Sequence, residues 1–169
     1  PLLRSLVGSE MCIRDSHRGN IDGAIPEREN SPDYIMEAIR QGYDVEVDVW
    51  FVDGKFRLGH DEPQYNIPIS LFEDYHRKLW VHCKNPQALF KWRELDPIGI
   101  HVNYFWHQED DYTLTSKGFV WVYPGKPLIK NSIAVLPEKF KQDLSICYGI
   151  CTDNINKYLK DFITSSIND

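Results

Sequence analysis

Valines and acids alternate along residues 44–49: Asp44, Val45, Glu46, Val47, Asp48, Val49. A two-residue period sends side chains to opposite faces of a β-strand, so valines line one face and carboxylates the other. The strand then meets Asp53-Gly54 and returns as KFRLGHD. Asp-Gly between apolar alternations predicts a tight hairpin, which delivers His60 and Asp61 at the end of the return strand. The segment SPDYIMEAIRQG predicts a helix, with Ser31 as N-cap, Pro32 at the first position and Gly42 as the stop. Ile35, Ala38 and Ile39 share one face of it.

Downstream the pattern keeps alternating. ISLFEDYHRK predicts a short helix, LWVHCK a strand, NPQALFKWREL a helix and IGIHVNYF a strand. GFVWVYPG predicts a further strand, SIAVLPEKF a short strand running into a turn, and YGICTDNINKYLKDFI a strand followed by a terminal helix. Strands alternating with helices predict parallel pairing through right-handed crossovers, either as a doubly wound open sheet or as a closed barrel. The polar residues favour the barrel. Glu46 and Asp48 point one way; Trp80, His82 and Lys84 share a face, as do His101 with Asn103 and Trp121 with Tyr123; Asp153 ends the last strand. Inside a barrel these faces converge near the C-terminal mouth. In an open sheet each would need its own partner, and the GxGxxG of dinucleotide-binding sheets is absent from the sequence. The expected fold is therefore α/β, a reduced TIM-type barrel with fewer or shorter crossovers than the full eightfold form.

A chain of 169 residues has room for one such domain, placed at residues 16–169. The net charge of −6 argues against nucleic acid as a partner, since phosphate neutralisation needs clustered Lys and Arg. No apolar run approaches the ~20 residues of a transmembrane helix. Four cysteines without paired CxxC motifs point to a reduced, cytoplasmic chain. Residues 1–15 are set apart as a non-native or disordered tail: SLVGSEMCIRDS resembles a string fused to unrelated proteins by read-through of a sequencing adapter, and it lacks the order of a signal peptide. A native start lost in this way would leave room for a lost signal peptide. The position just before His17 calls for a buried apolar strand, a run that Arg14 and Asp15 interrupt.

HRGN at 17–20, EN at 29–30, EVDV at 46–49, DG at 53–54 and GHD at 59–61 follow one another in an order and spacing that resembles the glycerophosphodiester phosphodiesterase family. WVHCK and GICTDN look like two later family strands, more weakly. The resemblance implies a metal-dependent phosphodiesterase. His17 and His60 match the family's acid–base pair, and Glu46 and Asp48 match its metal-binding acids. Arg18 offers a planar fork for phosphate oxygens, and Lys84 sits where the family has a strand lysine. Glu29 has two readings, a metal ligand or a partner for Arg18. His82 stands where the family usually has a third metal carboxylate. Hard oxygen ligands suit Mg²⁺ or Ca²⁺, whereas an imidazole moves the preference towards Mn²⁺ or Zn²⁺. The expected partner is a small-molecule phosphodiester. The competing expectation is a non-catalytic reduced barrel that binds a phosphorylated ligand or a protein. Trp106, Trp121 and Tyr123 are read as core or lining, His76, His101 and His107 as structural or exposed, and Cys147 and Cys151 as buried small apolar groups.

Overall fold

The computed structural model describes residues 13–97 and 101–160. The expectation that the first dozen residues pack poorly lies outside them. The chain forms β1 (Ile13–His17), α1 (Pro32–Arg40), β2 (Asp44–Val52), β3 (Lys55–Leu58), β4 (Tyr65–Asn66), α2 (Ile69–Tyr75), β5 (Leu79–Cys83), α3 (Pro86–Leu95), β6 (Asn103–Trp106), β7 (Tyr112–Leu114), β8 (Val120–Val122), β9 (Ser132–Val135) and β10 (Gly149–Thr152). Residues 155–160 are helical.

The strands join in one curled, mixed sheet. Seven run parallel in the order β6-β5-β2-β1-β10-β9-β8. β3 pairs antiparallel with the second half of β2, β4 with β3, and β7 with β8. This corrects the reduced TIM-type barrel: the sheet is a half-barrel of mixed strands, without regular β/α crossovers. The physical reason lies in the connections. α1 and α3 cover the crossovers on either side of β2 and β5, but only residues 123–131 join β8 to β9, and two 3-10 turns, Pro137–Lys139 and Leu144–Ile146, span the link from β9 to β10. Pro124, Pro127 and Pro137 in these links lack the amide that a helix interior needs. At the far end, β6 meets the β7–β8 hairpin through isolated bonds: the Tyr104 amide donates to Ser116 Oγ (3.0 Å), and the Ser116 amide donates to the Tyr104 carbonyl (2.8 Å).

The two faces of β2 divide as the alternation predicts. Val45, Val47 and Val49 pack with Leu79, Val81 and the helix residues Ile35, Ala38, Ala88 and Trp92 on the convex side. On the concave side, Trp80, Phe105, Trp121, Ile133, Val135 and Cys151 form a second apolar cluster beneath the acids. α1 starts and stops where expected, although the Ser31 side chain makes no capping bond. The Asp53-Gly54 hairpin is present, whereas β4 and β7 had no sequence signal strong enough to find them.

β1 carries a charged residue into the concave core. Asp15 is fully buried, and neither carboxylate oxygen has a hydrogen-bond partner. Burial, then the charges of Glu46 and Asp44, push its carboxyl well above the usual range; the nearby Glu46 amide and Cys151 thiol offset this only weakly. A carboxyl whose folded value is raised destabilises least at a pH below its unfolded value, and the penalty grows as pH rises from there. Asp15→Val should therefore stabilise the fold by about 2 kcal/mol at pH 7 and by clearly less at pH 4. Urea unfolding at the two pH values measures the difference; an equal gain at both would show that Asp15 is not charged-state limited.

Candidate functional site

The acids of β2 are held at the C-terminal end of the parallel strands by a local framework. Arg18 and Asn30 both adopt positive φ, 54° and 60°. Arg18 donates its amide to the Glu46 carbonyl (3.0 Å), and the Asn30 amide donates to the Arg18 carbonyl (3.1 Å). Asn30 then clamps Asp48 from two sides: its Nδ2 donates to Asp48 Oδ2 (2.9 Å), and its Oδ1 accepts from the Asp48 amide (2.9 Å). Arg18 Nε also reaches Asp48 Oδ2 at 2.9 Å, while its Nη1 donates to Glu29 Oε2 at 3.0 Å. Glu29 therefore pairs with Arg18 and, through its other oxygen, accepts from Asn20 (2.9 Å). Of its two readings, this arrangement matches the partner for Arg18.

β5 brings the cations. The register pairs Asp48 with His82. His82 Nδ1 lies 3.0 Å from Asp48 Oδ1 and 3.6 Å from Glu46 Oε1, and Lys84 Nζ lies 3.5 Å from Asp48 Oδ1. His82 Nε2 meets the His107 carbonyl at 2.6 Å. A carbonyl only accepts, so Nε2 carries a proton, and Nδ1 faces the two carboxylates. The imidazole also stacks on Phe105, with ring centres 5.2 Å apart and planes 4° from parallel. Burial alone would lower the His82 pKa, but the hydrogen bonds and charges of Asp48 and Glu46 outweigh it and push His82 up to about 9. Burial alone would likewise raise Asp48, yet the His82 bond and the charges of His82, Arg18 and Lys84 hold it well below the usual carboxylate range.

Glu46, Asp48 and His82 offer one ligand atom each within 4.8 Å of one another. Ligands bound to one small divalent ion stand roughly 3 to 3.5 Å apart, so the His82–Asp48 and His82–Glu46 separations suit such an ion. Glu46 Oε2 is buried without a hydrogen-bond partner, and a backbone carbonyl on the far nitrogen is the usual support for a ligating imidazole. The donor set fits a divalent cation, which must displace the proton on Nδ1.

The two remaining histidines each carry a carboxylate on Nδ1. His17, at the end of β1, pairs with Asp153 Oδ1 at 2.7 Å, and Asn20 Nδ2 donates to the same oxygen at 2.9 Å. Burial works against the Asp153 charge, but the bond from His17 prevails and lowers its pKa. His60 pairs with Asp61 Oδ1 at 2.7 Å in an exposed turn. Gly59 places that turn: its φ of 146° and the close Glu62 carbonyl leave no room for a Cβ, and its own carbonyl accepts from Trp50 Nε1 at 2.6 Å. A cleft of about 750 Å³ is lined by His17, Arg18, Glu46, His60, His82 and Lys84, among others. All the predicted site residues thus meet at or beside one cleft, with Asp48 beneath it and Glu29 behind Arg18. Sequence reasoning gave Asp153 no clear role and, though Asn20 and Asn30 close the HRGN and EN blocks, assigned them none. Only their place in those blocks signalled them, and a single Asp after the last strand signalled Asp153. His107, read as structural or exposed, is buried, lines the cleft and orients His82 through its carbonyl.

No protein-family model, curated protein or solved structure matches the chain. The resemblance to glycerophosphodiester phosphodiesterases is therefore one of sequence motifs alone.

His82 makes the metal-free site titratable. Its folded pKa lies above its unfolded value of roughly 6.5, so its stabilisation is fully present below that pH and is lost as pH rises through about 9. Metal-free protein in chelator should lose roughly 2 to 3 kcal/mol of unfolding free energy across that window. His82→Phe should flatten the dependence. NMR titration of the His82 ring with a midpoint near 6.5 would contradict it.

Proposed function

We propose that the chain is a divalent-cation-dependent hydrolase that cleaves a glycerol-type phosphodiester to an alcohol and glycerol phosphate. The observation that supports it most is the convergence of His17, His60, Arg18 and Lys84 with the Glu46–Asp48–His82 donor group around one cleft. A phosphodiester resists attack because its charge repels a nucleophile and its leaving oxygen must gain a proton. Arg18 donates one N–H to Glu29 and sets Nε against Asp48 as an ion pair, and its other donors, with the Lys84 ammonium, suit phosphate oxygens. His17 and His60 each direct Nδ1 to a carboxylate, which leaves Nε2 for proton transfer. As water adds to phosphorus, one of these nitrogens takes the water proton. The P–O bond to the alcohol breaks, and the other histidine gives the departing oxygen its proton. A divalent cation, when bound by Glu46, Asp48 and His82, supplies Lewis-acid polarisation of a phosphoryl oxygen. Two carboxylates accept Mg²⁺ or Ca²⁺, and the imidazole adds affinity for Mn²⁺ or Zn²⁺.

The partner is a small diester. Among the described residues no helix is long and apolar enough to cross a membrane. The free thiols of Cys83, Cys147 and Cys151 suit a reducing, cytoplasmic compartment. One observation favours a second reading, a non-catalytic binder of a phosphorylated ligand: Asp48 already has His82, Arg18 and Lys84 as counter-charges, so the cluster is neutralised from within.

Alcohol release from glycerophosphocholine and from bis(4-nitrophenyl) phosphate, followed in turn with Mg²⁺, Ca²⁺, Mn²⁺ and Zn²⁺, separates the two. The hydrolase should turn over with at least one metal, and His17→Ala should lower kcat by about 10²-fold or more. Binding of glycerol phosphate without turnover under every metal would establish the binder instead. Calorimetric metal titration of wild type, His82→Glu and His82→Ala tests the cation site. His82→Glu should tighten Mg²⁺ or Ca²⁺ and remove the advantage of Mn²⁺ or Zn²⁺, and His82→Ala should weaken all four. Three proteins with the same affinities would show that His82 only lines the sheet.

A further inference from the structure

His17, Arg18 and His60 line two clefts, one on either side. The larger, of about 750 Å³, runs from His82 and Lys84 to an apolar wall that includes Trp106, Trp121, Tyr123 and Leu136. Trp121 and Leu136 are buried and form its floor, whereas Tyr123 is 38% exposed. Its rim is polar and exposed: Gln108, Glu109 and Asp110. The second cleft, of about 570 Å³, has Glu62, Gln64 and Lys139 on its exposed side and only Ala24 and Pro26 as apolar members.

A phosphate monoester has one organic arm and needs one cleft. A diester has two, joined at phosphorus, and a ridge of histidines and arginine shared by two clefts matches that shape. The clefts differ in chemistry, so the arms they suit differ too. The carboxylates of Glu29, Asp61, Glu62 and Asp153, the amides of Asn30 and Gln64, and Lys139 suit a small polyol, whose hydroxyls both donate and accept. An aromatic wall with carboxylates and an amide at its edge suits a ring that has an apolar face and a polar perimeter.

We infer that the site takes an asymmetric diester, with its phosphate on the His17–Arg18–His60 ridge, a glycerol-sized polyol in the polar cleft, and a ring alcohol, aryl or sugar, against Tyr123 in the aromatic cleft. This rests on the phosphodiesterase reading and adds the cleft that each arm takes and the identity of the second arm. Tyr123 packs edge-on against the His107 ring, with centres 5.7 Å apart, while proton transfer falls to His17 and His60, so specificity and chemistry rest on different side chains of the cleft.

Three glyceryl phosphodiesters test it, with a methyl, a 4-nitrophenyl or a glucosyl group as the second arm. Each is assayed with wild type and with Tyr123→Ala, and the ratio of kcat/KM within each substrate cancels the intrinsic reactivity of the leaving group. The ratio should fall roughly 5- to 10-fold for a ring arm and distinctly less for methyl. Loss confined to the nitrophenyl ester assigns an aryl ring, and loss confined to the glucosyl ester assigns a sugar. An equal loss for all three, or none, overturns the inference and leaves the hydrolase reading in place. If no diester is cleaved, that reading fails, and calorimetric binding of the same three compounds decides the arms alone: weaker binding of ring esters to Tyr123→Ala sustains them, and no difference or no binding overturns them. Tyr123→Leu keeps bulk without the ring and carries the same comparison should Tyr123→Ala not fold.

Discussion

Glu46 and Asp48 are buried two residues apart on one strand, Asp48 with no exposed surface at all. Two carboxylates in that position cannot stay ionised without counter-charges and donors, since desolvating a lone charge costs several kcal/mol. Much of the surrounding structure answers this demand. Arg18 directly follows β1, Asn30 lies in the loop before α1, His82 is on β5, and Lys84 stands one residue beyond its end. The left-handed backbone at Arg18 and Asn30 is costly for residues with a Cβ, and here it aims both side chains at Asp48. The ion-pair cluster therefore ties together three segments that the chain brings from far apart.

Asp15 shows what happens where the demand goes unanswered. It lies on β1 in register with Asp44 and Cys151, on the same concave side as the site. Its surroundings supply more negative charge rather than less. Asp48 is driven below the ordinary carboxylate range and Asp15 above it, although both are wholly buried. Burial is the same for both, so the partners decide the direction. A cluster with three cations keeps its acid ionised, whereas a lone carboxyl in a core is a cost to stability.

Legibility in the sequence followed the same division between local pattern and tertiary demand. The acid–valine alternation, the Asp-Gly hairpin and the helix after Ser31 are local, and each forms where its pattern places it. That Glu46, Asp48 and His82 face one side was also readable, because strand parity fixes which side chains share a face, whereas His17 and His60 entered through the motif resemblance. The curl of the sheet was not. It depends on the links 123–131 and 136–148, where prolines and short turns replace crossover helices, and alternation along the flanking strands is silent about what joins them. The roles of Asn20, Asn30 and Asp153 lie in bonds to residues on other segments, as in the Asp153–His17 pair, so the motif blocks that contain the two asparagines did not say what they hold.

The two histidine–carboxylate pairs have the same 2.7 Å contact and opposite surroundings. His17 and Asp153 are both buried, and Asn20 braces the carboxylate from the side. Fixing His17 costs little further entropy when a ligand arrives, so its ring is preorganised. His60 and Asp61 are exposed on a hairpin end, and their ion pair gains little in high dielectric. His60 is instead held from the backbone side, by Gly59 beneath Trp50. A rigid histidine inside and a more accessible one at the edge suit the unequal tasks of the proposed hydrolase. There the inner ring would keep its position relative to Glu46 and Asp48, while the exposed outer ring would be the one to exchange its proton with solvent between turnovers.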